Sequence, residues 1–194
     1  MSLGVGGAVV EMGAHVCAFF HDRAQRDEIV AGFAAEAAGA GHKCYCLLDG
    51  PPPAGERAGG AELLTTMQTY LADGTFAARP MLGRLERLVR RGLQDEGYPA
   101  VRAVGEMSWA ADSPPDMGEV FRYESEVNRF AGRHPQLLLC LYDLTRFPAD
   151  ALFEVLKTHP WMLVANVALP NPYYQEPDAF LAGRASRPLS EPTC

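Results

Sequence analysis

The chain has 194 residues, of which 48% are hydrophobic and 21% charged, and a formal net charge of −7. That length suits one domain with or without a tail, and the composition supplies an ample core. The acidic balance argues against direct nucleic-acid binding. No apolar run approaches the roughly 20 residues that span a bilayer, and residues 1–11 lack the basic and apolar segments of a secretory leader.

Residues 1–11 are expected to be disordered or expression-derived, and a cytoplasmic protein is expected. From there, strand-like and helix-like runs alternate. Strands are expected at His15–Phe20, Lys43–Asp49, Leu63–Thr69, Val101–Gly105, Leu137–Tyr142 and Trp161–Ala168. Helices are expected at Arg26–Ala38, Arg79–Glu96, Gly118–Ala131 and Ala149–Thr158. The strand runs are short, continuously apolar, and bounded by Gly, Pro and Asp, as in a parallel sheet buried on both faces. Their alternation with amphipathic helices predicts an α/β fold, a three-layer αβα sandwich built from right-handed βαβ units. Between Asp49 and Gly60 the chain is too rich in Gly, Ala and Pro to pack, and reads as a flap. From Pro170 to Cys194 the chain has many prolines and no periodicity, and Gln175–Cys194 is expected to be a flexible tail. The globular part is therefore expected at 12–174.

In open parallel sheets, ligands bind beyond the carboxyl ends of the strands. That rule selects Phe20, His21 and Asp22 after the first strand, Asp49 after the second, Glu106 and Trp109 after the fourth, and Tyr142 and Asp143 after the fifth. The fifth run, Leu137–Asp143, ends in an acid where P-loop nucleotidases hold Mg²⁺, although an Asp there also caps turns. The phosphate grip itself is missing. A P-loop needs G-x-x-x-x-G-K-[ST] after the first strand, and His21-Asp22-Arg23-Ala24-Gln25-Arg26-Asp27 contains neither Gly nor Lys.

Other motifs carry less. Glu106 could pair with Arg102, and Trp109 could lie buried beneath the next helix. Glu124 and Asn128 share a helix face, where Glu124 either pairs with arginine or lines the pocket. Arg79, Arg84, Arg87, Arg90 and Arg91 oppose an apolar stripe and read as a solvated face, with docking of an acidic partner as the alternative. The five cysteines are scattered and odd in number, which favours reduced, buried thiols. His15 with Cys17, and Cys44 with Cys46, alternate onto common strand faces. They lack the loop spacing of zinc sites, so no metal is expected. The absence of a G-x-S-x-G elbow and of a placed Cys–His pair argues against a serine or cysteine hydrolase.

Several segments, in order, resemble the MEDS domain, a sensory domain named for methanogens, methylotrophs and a dichloromethane-responsive repressor. They are His15-Val16-Cys17, Tyr70–Phe76, Gly97–Arg102, Gly105–Trp109, Tyr123-Glu124 through Asn128, Cys140–Asp143, Thr158-His159-Pro160 and Asn171–Tyr174. Together they cover roughly residues 12–175. The resemblance implies a mostly parallel RecA/KaiC-like sheet that has lost its P-loop and serves as a signal-input module. Members occur alone or joined to histidine-kinase, anti-sigma-factor-type or DNA-binding modules, and small hydrocarbon derivatives are the proposed signal for some. No such output module is recognisable in this sequence.

The expected function is thus a non-catalytic sensory domain without cofactor. It would bind a small molecule at Phe20, His21, Asp22, Asp49, Glu106, Trp109, Tyr142 and Asp143 and relay to a regulatory protein partner. One alternative is a KaiC-like ATP-binding protein, with Glu106 activating water and Asp143 holding Mg²⁺. Another is an interaction module with a vestigial pocket. No membrane association is expected, and the rings formed by RecA-like relatives leave room for a homo-oligomer.

Overall fold

In β5 (Gln136–Asp143), alternate residues feed two separate cores: Leu137, Leu139 and Leu141 face one side, and Leu138, Cys140 and Tyr142 the other. Both faces of the strand are covered, which is why the run is continuously apolar. The computed structural model describes residues 1–53, 60–112 and 117–185. The remaining strands are β1 (His15–Phe20), β2 (Lys43–Leu48), β3 (Glu62–Thr65), β4 (Val101–Glu106), β6 (Trp161–Val164) and β7 (Val167–Pro170). They form one seven-stranded sheet in the order β3-β2-β4-β5-β1-β6-β7. Only β7 is antiparallel.

The helices are α1 (Arg23–Gly39), α2 (Ala78–Arg90), the single turn α3 (Trp109–Asp112), α4 (Met117–Ala131), α5 (Ala149–Thr158) and α6 (Pro177–Ala185). One face of the sheet is covered by α1, through Ile29, Val30 and Phe33. The other is covered by α2, α4 and α5, through Met81, Leu85, Val127 and Val155. The result is the expected three-layer α/β sandwich. Among the described residues no helix is long and apolar enough to cross a membrane.

Four expectations are corrected. Residues 1–11 are not disordered: Leu3, Val5, Ala8 and Val10 are buried in the α1-side core. Leu3 and Ala8 are joined by a backbone hydrogen bond, and Arg102 donates to the Ser2 carbonyl at 2.6 Å. The segment docks because Gly4 and Gly32 are both bare. A Cβ on Gly32 would lie 2.3 Å from the Gly4 carbonyl oxygen. The run Trp161–Ala168 is not one strand but a hairpin, turning at Ala165 and Asn166 with φ of 47° and 64°, the φ signs of a type I′ turn. The strand expected over Leu63–Thr69 stops at Thr65, whose hydroxyl and backbone form a reciprocal capping box with Gln68. The expected tail begins with α6, which buries Phe180 and ties Arg129 of α4 to Asp178 at 2.6 Å. The rest of that tail, 186–194, and residues 54–59 of the expected flap lie outside the described residues.

Candidate functional site

The carboxyl ends of β1, β2, β4 and β5 open onto a cleft of about 150 Å³ lined by Phe20, Arg23, Arg26, Asp49, Pro51, Glu106 and Asp143. Parallel pairing sets Phe20 of β1 beside Asp143 of β5. At its floor, Glu106 Oε2 accepts from Arg26 Nη2 (2.6 Å) and Nε (3.0 Å), and from the backbone N–H of Asp49 (3.1 Å). The Arg26 guanidinium also reaches Asp27 at 2.6 Å and the Pro51 carbonyl at 3.1 Å. Burial opposes its charge, but the Glu106 and Asp27 carboxylates outweigh it and raise its pKa. Asp143 Oδ1 accepts from the backbone and hydroxyl of Thr145 (2.8 and 2.6 Å) and so closes a turn while lining the cleft.

The remaining strand-end residues lie elsewhere. His21 and Asp22 are exposed, and Asp22 caps α1 by accepting from the Gln25 N–H at 2.9 Å. Trp109 is not among the residues that line this cleft. It is buried under the α2–α4 layer, stacked on Tyr70 with ring centroids 4.9 Å apart. Tyr142 points into the same layer, because it sits one residue before Asp143 and therefore on the opposite face of β5. Glu106 pairs with Arg26 and not with Arg102, which donates instead to Ser2 and His42.

A second polar centre lies inside the α4-side core. His15, Glu124, Cys140 and His159 offer nitrogen, oxygen and sulfur atoms that all fall within 4.8 Å of one another. His15 Nε2 is 3.2 Å from Glu124 Oε2 and 3.3 Å from Cys140 Sγ. His159 Nε2 is 3.5 Å from the same carboxylate oxygen, and the two imidazole centroids are 4.0 Å apart. Glu124 Oε1 accepts from the Tyr142 hydroxyl at 2.8 Å. Burial acts to raise the Glu124 carboxyl, but the hydrogen bond from His15, the two neighbouring imidazoles and the Tyr142 hydroxyl hold it below its ordinary value. Burial, with His15 alongside, pushes His159 down to about 3, so its ring is neutral. Burial and the Glu124 charge push the Cys140 thiol well up.

The family model described as MEthanogen/methylotroph, DcmR Sensory domain matches residues 14–160. The chain belongs to the MEDS family. Comparison with curated proteins finds no match. Among solved structures, this MEDS domain is similar to the flagellar accessory protein FlaH from Methanocaldococcus jannaschii. The TM-score is 0.45 and the identity 8%, over 81% of this chain and 73% of that one.

The strand-end rule located Phe20, Asp49, Glu106 and Asp143 of the cleft, but not Arg23 and Arg26, which reach it from the first turn of α1. The buried centre was not assembled from the sequence at all. β4 and β5 stand between β2 and β1, so Cys44 and Cys46 cannot join His15 and Cys17. The usable signal was a buried acid, Glu124, on an otherwise apolar helix stripe with Tyr123 and Val127.

Proposed function

We infer that this MEDS domain is a non-catalytic signal-input module whose ligand is a small polar molecule held in the strand-end cleft. The observation that carries the reading is the state of the α1 N-terminus. A helix N-terminus beside the first strand is where a phosphate would dock, and here Asp22 caps it with its own carboxylate. Asp49, Glu106 and Asp143 add further negative charge to the cleft, and Arg26 is already committed to Glu106 and Asp27. Size argues the same way. A cleft of about 150 Å³ lies below the ~300 Å³ lower bound of ordinary ligand pockets. Binding that perturbs the Arg26–Glu106 pair would be felt along α1, a route by which a regulatory protein partner can read the state of the cleft. The competing docking face is partly committed internally, since Arg84 pairs with Asp73 and Arg91 with Glu62 and Glu96.

Calorimetric titration with Mg-ATP is expected to give no heat, and hydrolysis no faster in the wild type than in Asp143→Asn. Tight, Mg²⁺-dependent binding would overturn the reading in favour of an ATP site. In a thermal-shift series with acetate, methylamine and ethylene glycol, at least one probe is expected to stabilise the protein, with the shift lost in Arg23→Ala. No shift with any of the three counts against the cleft as the input site.

A further inference from the structure

The buried centre stands apart from the strand-end cleft and does not depend on its reading. Its hydrogen bonds assign the imidazole protons. His159 Nδ1 lies 2.8 Å from the Val155 carbonyl, which can only accept, so Nδ1 carries the hydrogen and Nε2 presents a lone pair. Asn128 Nδ2 donates to the carbonyls of Glu124, Ser125 and Thr158 at 3.2, 3.2 and 2.7 Å. The amide is thereby oriented, and its Oδ1 faces His15 Nδ1 at 3.1 Å, which donates to it. Both rings therefore aim Nε2 at the same space as Glu124 Oε2 and Cys140 Sγ. This is the arrangement in which a second group fixes the tautomer and direction of a metal-binding histidine.

His159 is fully buried and its Nε2 has no hydrogen-bond partner, although a carboxylate oxygen lies 3.5 Å away. Two lone pairs in a dry interior repel unless a proton or a cation sits between them. A proton on His15 Nε2 would satisfy its own contact with Glu124 and would leave His159 as it is. A cation satisfies all four atoms together. Tetrahedral bonds of ~2.0 Å to nitrogen or oxygen and ~2.3 Å to sulfur give ligand-to-ligand edges of about 3.3–3.6 Å. Of the six edges, His15–Glu124 is 3.2 Å, His15–Cys140 3.3 Å, His159–Glu124 3.5 Å and Cys140–Glu124 3.6 Å, and the two from His159 to His15 and Cys140 lie within 4.8 Å. The charges also close: a divalent ion with one carboxylate, one thiolate and two neutral imidazoles sums to zero, which a sealed core requires.

We propose that His15, Glu124, Cys140 and His159 bind one divalent transition-metal ion of the zinc class in a closed tetrahedral site. Two imidazoles, a carboxylate and a thiolate suit Zn²⁺ and exclude the all-oxygen preferences of Mg²⁺ and Ca²⁺. On coordination the Cys140 thiol proton leaves to solvent, which makes binding stronger as pH rises. The ion would join β1, β5, α4 and the chain just past α5, adding to the hydrogen bonds that Asn128 and Tyr142 already make between them. With four protein ligands there is no open position, so its role is to hold the fold and not to catalyse.

The test uses the whole chain, stripped with a chelator under reducing denaturing conditions and refolded with Co²⁺ or Zn²⁺. With Co²⁺ the wild type is expected to show tetrahedral visible bands and a thiolate-to-cobalt charge-transfer band, at about one equivalent, displaced by Zn²⁺. Cys17→Ser, which removes a thiol of the same core, should keep the charge-transfer band, and Cys140→Ser should lose it. Zn²⁺ should raise the Tm of the wild type and not that of His159→Gln. Should Cys140→Ser or His159→Gln fail to fold, the wild-type and Cys17→Ser spectra decide. A refolded wild type with no cobalt bands and no Zn²⁺-dependent Tm shift would overturn the proposal and leave a buried hydrogen-bond network.

Discussion

Arg26 and Glu106 form a buried ion pair that lines the strand-end cleft. Arg26 is 3% and Glu106 5% exposed; Glu106 Oε2 accepts twice from Arg26 and once from the Asp49 N–H, and Arg26 also donates to Asp27 and the Pro51 carbonyl. Removing one partner leaves the other charge buried without compensation, which costs more than the pair contributes. Arg26→Met is therefore expected to lower stability by about 3 kcal/mol, read from urea denaturation. Arg26→Met with Glu106→Met together should recover part of that loss, because no bare charge remains. A single-substitution loss below about 1 kcal/mol, the range of exposed pairs, would mean that water in the cleft already screens Glu106.

At the scale of elements, glycine placement decides whether the N-terminal segment belongs to the fold. Inside a helix, Gly→Ala ordinarily stabilises by up to about 1 kcal/mol. At Gly32, in the middle of α1, the new Cβ would meet the Gly4 carbonyl oxygen at 2.3 Å, and a backbone atom cannot swing aside. Gly32→Ala is expected to destabilise by about 1–3 kcal/mol, the usual cost of overpacking, since Leu3 and Val5 must lift from the core. Gly39→Ala, at the end of the same helix with open space around it, should be neutral or stabilising. Thermal melts of the two variants with the same sign would mean that the segment does not dock as described. The same physics explains what the sequence concealed. β1, β2, β4 and β5 were legible because strands covered on both faces are continuously apolar. The N-terminal segment read as disorder because its few apolar residues are interrupted by Gly4, Gly6 and Gly7. The β6–β7 turn carries Ala165-Asn166 without glycine, and α6 offers only Phe180 and Leu181 as an apolar stripe.

Over the whole molecule, the two candidate centres differed in how far sequence reaches. The cleft follows from topology, because parallel strands end together and their last residues must share one edge. Which face a strand-end residue takes depends on pleat and on the covering helices, and so Trp109 and Tyr142 went to the core. The buried centre draws on residues 15, 124, 140 and 159, and no local spacing brings these together before β1 is known to lie beside β5. Topology also sets an order of stability along the sheet. β4 and β1 lie on either side of β5, and the central strands are almost wholly buried, whereas β7 is an edge strand among the described residues, with Val167 52% and Leu169 41% exposed. Amide hydrogen exchange should therefore be slowest in β4, β5 and β1, opening only with global unfolding, and fast in β7. The measurement also bears on self-association, since an unpaired edge strand is a template for another chain. Exchange in β7 that stays fast from micromolar to near-millimolar protein is the expected result for a free edge. Protection of β7 that grows with concentration would mean that copies of the chain pair along it.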